Sequence, residues 1–100
     1  MKRVVEYGLL DENGNYVYAE QISDDFVMLF GVEVQDATTW YTMEEAKKRG
    51  QQIIDCKNMG QTYPFDYHLV DAGLPVSVVE ITKEIEVKNL NVEFIEFNED

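Results

Sequence analysis

A single cysteine, Cys56, stands among the 100 residues, so no intramolecular disulfide can form and a reducing compartment is expected. A single histidine, His68, means that any histidine-dependent base or multi-histidine metal site would have to centre on it. Bases are scarce as well: eight Lys and Arg stand against twenty Asp and Glu, a net charge of −12. That exceeds the magnitude of about 2 to 8 that keeps a small domain soluble. Such a surface repels nucleic-acid backbones and anionic membranes and attracts basic partners, so neither direct nucleic-acid binding nor membrane association is expected. No apolar run approaches the roughly 20 residues of a membrane span. The opening Met1-Lys2-Arg3-Val4-Val5-Glu6 also meets an acid before a signal-type apolar stretch could form, and the expected location is the cytoplasm. With two prolines, six glycines and no linker, repeat or low-complexity tract, nothing marks a boundary, and residues 1–100 are expected to form one domain.

What is present is ordinary core chemistry. Forty-five per cent of the residues are hydrophobic, among them five Phe, six Tyr and one Trp, which argues against disorder despite the charge. A chain of this length should bury roughly 60 to 70% of its unfolded surface.

The residues that could carry chemistry are few. His68 lies in a strand-like stretch with no nameable partner to orient it as a base, so it reads as a structural or surface histidine. Cys56 falls on the last turn of a helix, where the dipole disfavours a thiolate, and reads as a small buried hydrophobe. Asp11-Glu12-Asn13-Gly14-Asn15 superficially resembles a calcium loop, but the sixth place is Tyr16 instead of Gly and the twelfth is Ile22 instead of Glu. There is no phosphate-binding glycine loop, nucleophile elbow or Cys/His cluster. No cofactor or metal is expected, and an enzyme ranks third among the functional readings. The aromatics lack the interleaved Lys and Arg of a nucleic-acid stacking platform. Trp40-Tyr41 reads as a core anchor before a helix.

The local pattern predicts an α+β fold, with one amphipathic helix packed on a mostly antiparallel sheet. Residues 3–10 and 16–22 flank Asn13-Gly14, whose preference for positive φ at both positions predicts a two-residue type I′ hairpin. That register pairs Leu10 with Val17, Leu9 with Tyr18, Tyr7 with Glu20 and Val5 with Ile22. It puts Val5, Tyr7, Leu9, Tyr18 and Ile22 on one face and leaves room for a close approach beside Gly8 and Ala19. A turn at Ser23-Asp24-Asp25 leads into residues 26–34, read as one or two strands broken near Gly31, or a short buried helical turn. Thr42-Met43-Glu44-Glu45 has the form of a capping box. Met43, Ala46, Gly50, Ile53 and Ile54 then recur at helical spacing, with Glu44–Lys48 and Glu45–Arg49 as outward pairs. Asn58 or Gly60 should end the helix.

Residues 65–70, 76–87 and 90–97 read as strands. In the second, Val79, Ile81, Ile85 and Val87 alternate with Glu80, Thr82, Glu84 and Glu86, which predicts the apolar set against the helix and the carboxylates in a row on the wet face. By segment the net charge is −6 for residues 1–42, +1 for 43–58, −2 for 59–79 and −5 for 80–100. The helix is thus a slightly basic island.

Residues 36–46, DATTWYTMEEA, resemble a pattern of many short phage and prophage proteins. These have an N-terminal hairpin, an A-x-x-aromatic-x-T-x-E-E-A lead into a single amphipathic helix, and a closing Val/Glu-rich strand. The stretch after Lys88 is longer than that pattern requires. The resemblance implies a small acidic protein of a class mostly without known function, some members of which, certain anti-CRISPR proteins among them, inhibit host defence enzymes. No functional residue carries over from it. The leading expectation is a non-catalytic protein-binding inhibitor or regulator from a mobile element, at work in the host cytoplasm. It would act as an acidic nucleic-acid mimic, with Glu80, Glu84, Glu86, Glu93 and Glu96 meeting the basic surface of a host nucleic-acid enzyme. The alternative is a homo-oligomeric structural or accessory phage protein whose open strand edges self-associate.

Overall fold

A computed structural model describes residues 1–60 and 65–95. Its elements follow in the order β1 Lys2–Asp11, β2 Tyr16–Ser23, β3 Phe26–Val32, a single 3-10 turn Val34–Asp36, α1 Met43–Met59, β4 Asp66–Leu69 and β5 Pro75–Ile85. The five strands form one sheet in the order β4-β3-β2-β1-β5, antiparallel except for the parallel pair β3–β4. The fold is α+β, with one helix laid on a mostly antiparallel sheet. No helix among the described residues is long and apolar enough to cross a membrane.

The first hairpin differs from the predicted one by a single residue. Asp11 N–H donates to the Asn15 carbonyl and Gly14 N–H to the Asp11 carbonyl, at 2.8 and 3.2 Å. The loop is therefore the three residues Glu12-Asn13-Gly14, a type I turn followed by a left-handed residue. Only Gly14 has positive φ, +82°, and Asn13 does not. The Asp11 carboxylate selects this loop by accepting the N–H groups of Asn13 and Asn15, each at 2.9 Å. Leu10 consequently faces Tyr16 and not Val17, and a one-residue slip exchanges the two faces of a strand. Val17 joins Leu9 in the core while Tyr18 is exposed.

Past that one pairing the two strands part, and residues 38–40 run between them. Tyr7 and Trp40 exchange both backbone hydrogen bonds at 2.8 Å, Thr38 N–H donates to the Val17 carbonyl at 3.0 Å, and Ala19 N–H donates to Thr38 Oγ1 at 2.8 Å. The close approach expected beside Gly8 and Ala19 is this segment: a side chain on Gly8 would bring its Cβ within 3.4 Å of the Thr38 carbonyl oxygen. Strand β3 runs unbroken through Gly31, ending the choice between one strand, two strands and a helical turn. The turn before it, at Asp24 and Asp25, is as expected.

Helix α1 starts where the capping pattern places it. Thr42 is extended and its hydroxyl accepts from Glu45 N–H at 3.1 Å. Gly60 ends it in the left-handed region at φ +88°, donating its N–H to the Cys56 carbonyl at 2.8 Å. Ala46, Gly50, Ile53 and Cys56 are buried, whereas Met43 is 52% exposed and does not belong to the inner face. The core joins Leu9, Val17, Val27, Leu29, Ile53 and Ala72, with Trp40, Phe65, Tyr67 and Val78 packed around them. At about 25 cal/mol for each Å² of apolar surface removed from water, this seam between helix and concave sheet is the main source of stability.

Strand β5 corrects the expected facing. Position Gly8 lies against Ile81 Cδ1 and Val79 Cγ2 as well as the Thr38 carbonyl. A groove at the far end joins Ile81, Lys83 and Ile85 to Val34 and Gln35. Val79, Ile81 and Ile85 do share a face, but the segment around residues 34–38 covers it. The helix lies on the other face, over Leu9, Pro75 and Val78. Val87 lies beyond the strand and is exposed.

The strand expected over residues 90–97 does not form in 86–95, which carry no regular structure. Residues 96 and 97 lie outside the described residues. The ladder ends at Lys2–Ile85, so the chain beyond Ile85 has no neighbouring strand, and an isolated hairpin is at best marginally stable. Within this stretch Asn91 adopts φ +57° and donates its N–H to Asn89 Oδ1 at 2.8 Å.

Candidate functional site

Of the five carboxylates expected to form the binding face, two lie on one face of a strand. Glu80 and Glu84 are exposed on one face of β5, four residues apart, about 13 Å at the usual rise of a strand; it is the face of Val78, on which the helix lies, and not the opposite one as expected. Glu86 follows the last residue of β5 and Glu93 lies in the exposed stretch 86–95, so neither continues the row. Glu96 lies outside the described residues. Arg3, directly across the ladder, approaches Glu84 at 3.5 Å. Both side chains are well exposed, and such pairs contribute little, which leaves the carboxylate available to a partner.

The opposite face of β5 holds a different charge arrangement. Lys83 pairs with Glu6 at 3.2 Å, and the Thr39 hydroxyl donates to the same Glu6 oxygen at 2.6 Å. The Thr39 hydrogen bond first, and then Lys83, hold the Glu6 carboxyl below its usual range. This cluster ties the inserted segment 38–40 to the sheet.

A cleft of about 200 Å³ opens between helix and sheet, lined by Val17, Val27, Trp40, Ile53, Phe65 and Tyr67 with Arg49 at its side. The predicted Glu45–Arg49 and Glu44–Lys48 pairs are not among the ion pairs of the described residues. Arg49 instead places its guanidinium 5.2 Å from the centre of the Phe65 ring and donates to Gln52 Oε1 at 3.2 Å. The Tyr67 hydroxyl donates to the same Gln52 oxygen at 3.1 Å, and burial pushes the Tyr67 phenol up from its ordinary value. Sequence reasoning missed this inward turn. The available signal was spacing: Arg49 lies three residues after Ala46 and four before Ile53, at the margin of the buried stripe.

Other singled-out residues have structural neighbours. Cys56 is buried, and its sulfur accepts from Tyr67 N–H at 3.3 Å, so the thiol meets the outer edge of β4. His68 is exposed and stacks on Phe26 across β3 and β4, with ring centres 6.4 Å apart. Asp11, the first residue of the calcium-like stretch, spends one carboxylate oxygen on two N–H groups of its own loop and the other on Gly73 N–H at 2.9 Å. Trp40 packs against the core, while Tyr41 is 81% exposed and anchors nothing. No group of three or more His, Cys, Asp or Glu among the described residues has metal-holding geometry.

A scan of protein-family models and searches of curated proteins and of solved structures each find no match to this chain.

Proposed function

We propose that this chain is a non-catalytic binding protein whose acidic β5 surface engages a basic surface on another protein. In the finer form of the proposal it is an inhibitor from a mobile element, and its target is a host enzyme that handles nucleic acid. The observation that carries the reading is the exposed pair Glu80 and Glu84 on one face of an edge strand, followed by Glu86, in a chain of net charge −12. Carboxylates about 13 Å apart along a strand are far sparser than the phosphates of a duplex, which carries one charge per roughly 1.7 Å. The reading is therefore one of electrostatic complementarity to a basic channel and not of a charge-for-charge copy of DNA.

The test compares immobilised wild-type protein with the Glu80→Lys/Glu84→Lys/Glu86→Lys variant on host extract. Expected is a partner held by the wild type at low salt, released by duplex DNA or RNA as competitor and by rising salt, and lost by the folded variant. Equal retention by the variant, or indifference of the captured protein to nucleic acid, overturns the proposal.

A further inference from the structure

Strand β5 ends the sheet, paired with β1 along its length and with no strand on its outer side among the described residues. The backbone groups facing outward follow from one local fact. In an antiparallel ladder the N–H and C=O of a residue point to the same side. Tyr7 spends both on Trp40, so it turns away from β5 and its pairing with Glu80 is a non-hydrogen-bonded one. Alternation along the ladder then turns Val79, Ile81 and Lys83 toward β1 and leaves Val78, Glu80, Thr82 and Glu84 with N–H and C=O at the open edge. Beside that edge lies the half-open groove of Ile81, Ile85 and Val34, with Ile85 43% and Val34 38% exposed. Both features call for an added strand.

We infer that the strand is β5 of a second copy of this chain, paired antiparallel about a two-fold axis at Ile81. A two-fold axis normal to the sheet keeps like faces together, so opposed residues have the same parity. The charges then choose the register. An axis at Glu80 sets that carboxylate against itself, and one at Thr82 sets Glu80 against Glu84. One at Lys83 opposes two lysines, and one at Val79 shortens the ladder. An axis at Ile81 opposes Glu80 to Thr82, Glu84 to Val78, Lys83 to Val79 and Ile85 to Ser77, with no like charges face to face. The two Ile81 side chains meet as a close, non-hydrogen-bonded pair, which continues the apolar groove across the axis.

Charge complementarity supports the same register. Lys47 of the basic helix borders a groove with Val76 and Val78. The register lays Glu84 of one copy opposite Val78 of the other, beneath the second copy's Lys47. Glu80 and Glu84 share the parity of Val78 and so the face that carries the helix, and the two-fold axis brings the acidic residues of both copies to that one face. The inference is independent of the proposed target.

Sedimentation equilibrium of the full chain over a concentration series tests it. The expected result is a monomer–dimer equilibrium whose dimer fraction rises with salt, because two bodies of charge −12 repel until the screening length shrinks from about 30 Å at 0.01 M to about 8 Å at 0.15 M. Thr82→Pro removes an outward N–H without touching the β1 ladder and should weaken the dimer about tenfold or more. Lys47→Glu should also weaken it. Thr82→Glu should break it by opposing Glu80, and the Glu80→Lys/Thr82→Glu double variant should restore it. A chain that is monomeric at all salts, a dimer indifferent to folded Thr82→Pro, or a charge swap that fails to restore pairing overturns the inference. Should Thr82→Pro not fold, Lys47→Glu and the charge swap decide.

Discussion

The Asp11 carboxylate is buried, 1% exposed, and accepts N–H groups from Asn13, Asn15 and Gly73. It closes the first hairpin and holds the loop before β5 against it. Asp11→Asn keeps the shape but replaces one acceptor by a donor, so at least one of those N–H groups faces another N–H. An unmet buried group costs about 1 to 3 kcal/mol, and the urea midpoint should fall accordingly. An unchanged midpoint would show that the carboxylate does not select the turn. Glu6 makes a different prediction. Its folded-state pKa is lowered by the Thr39 hydroxyl and Lys83 from a usual value of 4.5, so its contribution is fully present above that value. The contribution is lost as pH falls through the folded value. Glu6→Gln should flatten the acid limb of the stability curve below pH 4.5 and leave its shape near neutrality unaltered, as read from thermal midpoints against pH.

At the scale of elements, the helix is set at both ends by short-range bonds. Thr42→Ala should cost about 1 kcal/mol through loss of the cap. Gly60→Ala should cost about 1 to 2 kcal/mol, because φ there is +88° and an added Cβ meets nothing within 4 Å, so the penalty is conformational alone. Chemical denaturation of the two variants checks both. Cys56 links the end of this helix to β4 through Tyr67 N–H. Cys56→Ala should lower stability modestly and leave partner binding intact. Complete loss of binding in a folded Cys56→Ala protein would make the thiol functional.

For the whole molecule, the ledger of charge dominates. Twenty acids against eight bases repel one another in the compact state, and the ion pairs of the described residues, Arg3–Glu84 and Lys83–Glu6, oppose this only weakly. The thermal midpoint should therefore rise with sodium chloride over the range in which screening is still incomplete. A falling midpoint would mean that attractive pairs outweigh the net repulsion. Salt also separates the two association readings, since attraction to a basic partner weakens with salt while pairing of two like-charged copies strengthens.

The features legible in the sequence are those made by residues close together in the chain. The existence of a hairpin at Asn13-Gly14, the cap at Thr42 and a helix end at Asn58 or Gly60 follow from neighbouring hydrogen bonds, and the inward places of Ala46, Gly50 and Ile53 from a 3.6-residue period. The alternation after Pro75 likewise sorts Glu80 and Glu84 from Val79, Ile81 and Ile85. Tertiary structure decided what such patterns leave open. A period of two separates the faces of β5 but does not say what covers each; distant segments do, the helix on one face and residues around 34–38 on the other. The hairpin register turned on the Asp11 carboxylate, whose second oxygen is held by Gly73 from across the molecule. The parallel pairing of β3 with β4, the insertion of residues 38–40 between β1 and β2, and the inward turn of Arg49 onto Phe65 each depend on groups far apart in the chain. Such contacts form only when the sheet has already brought those groups together.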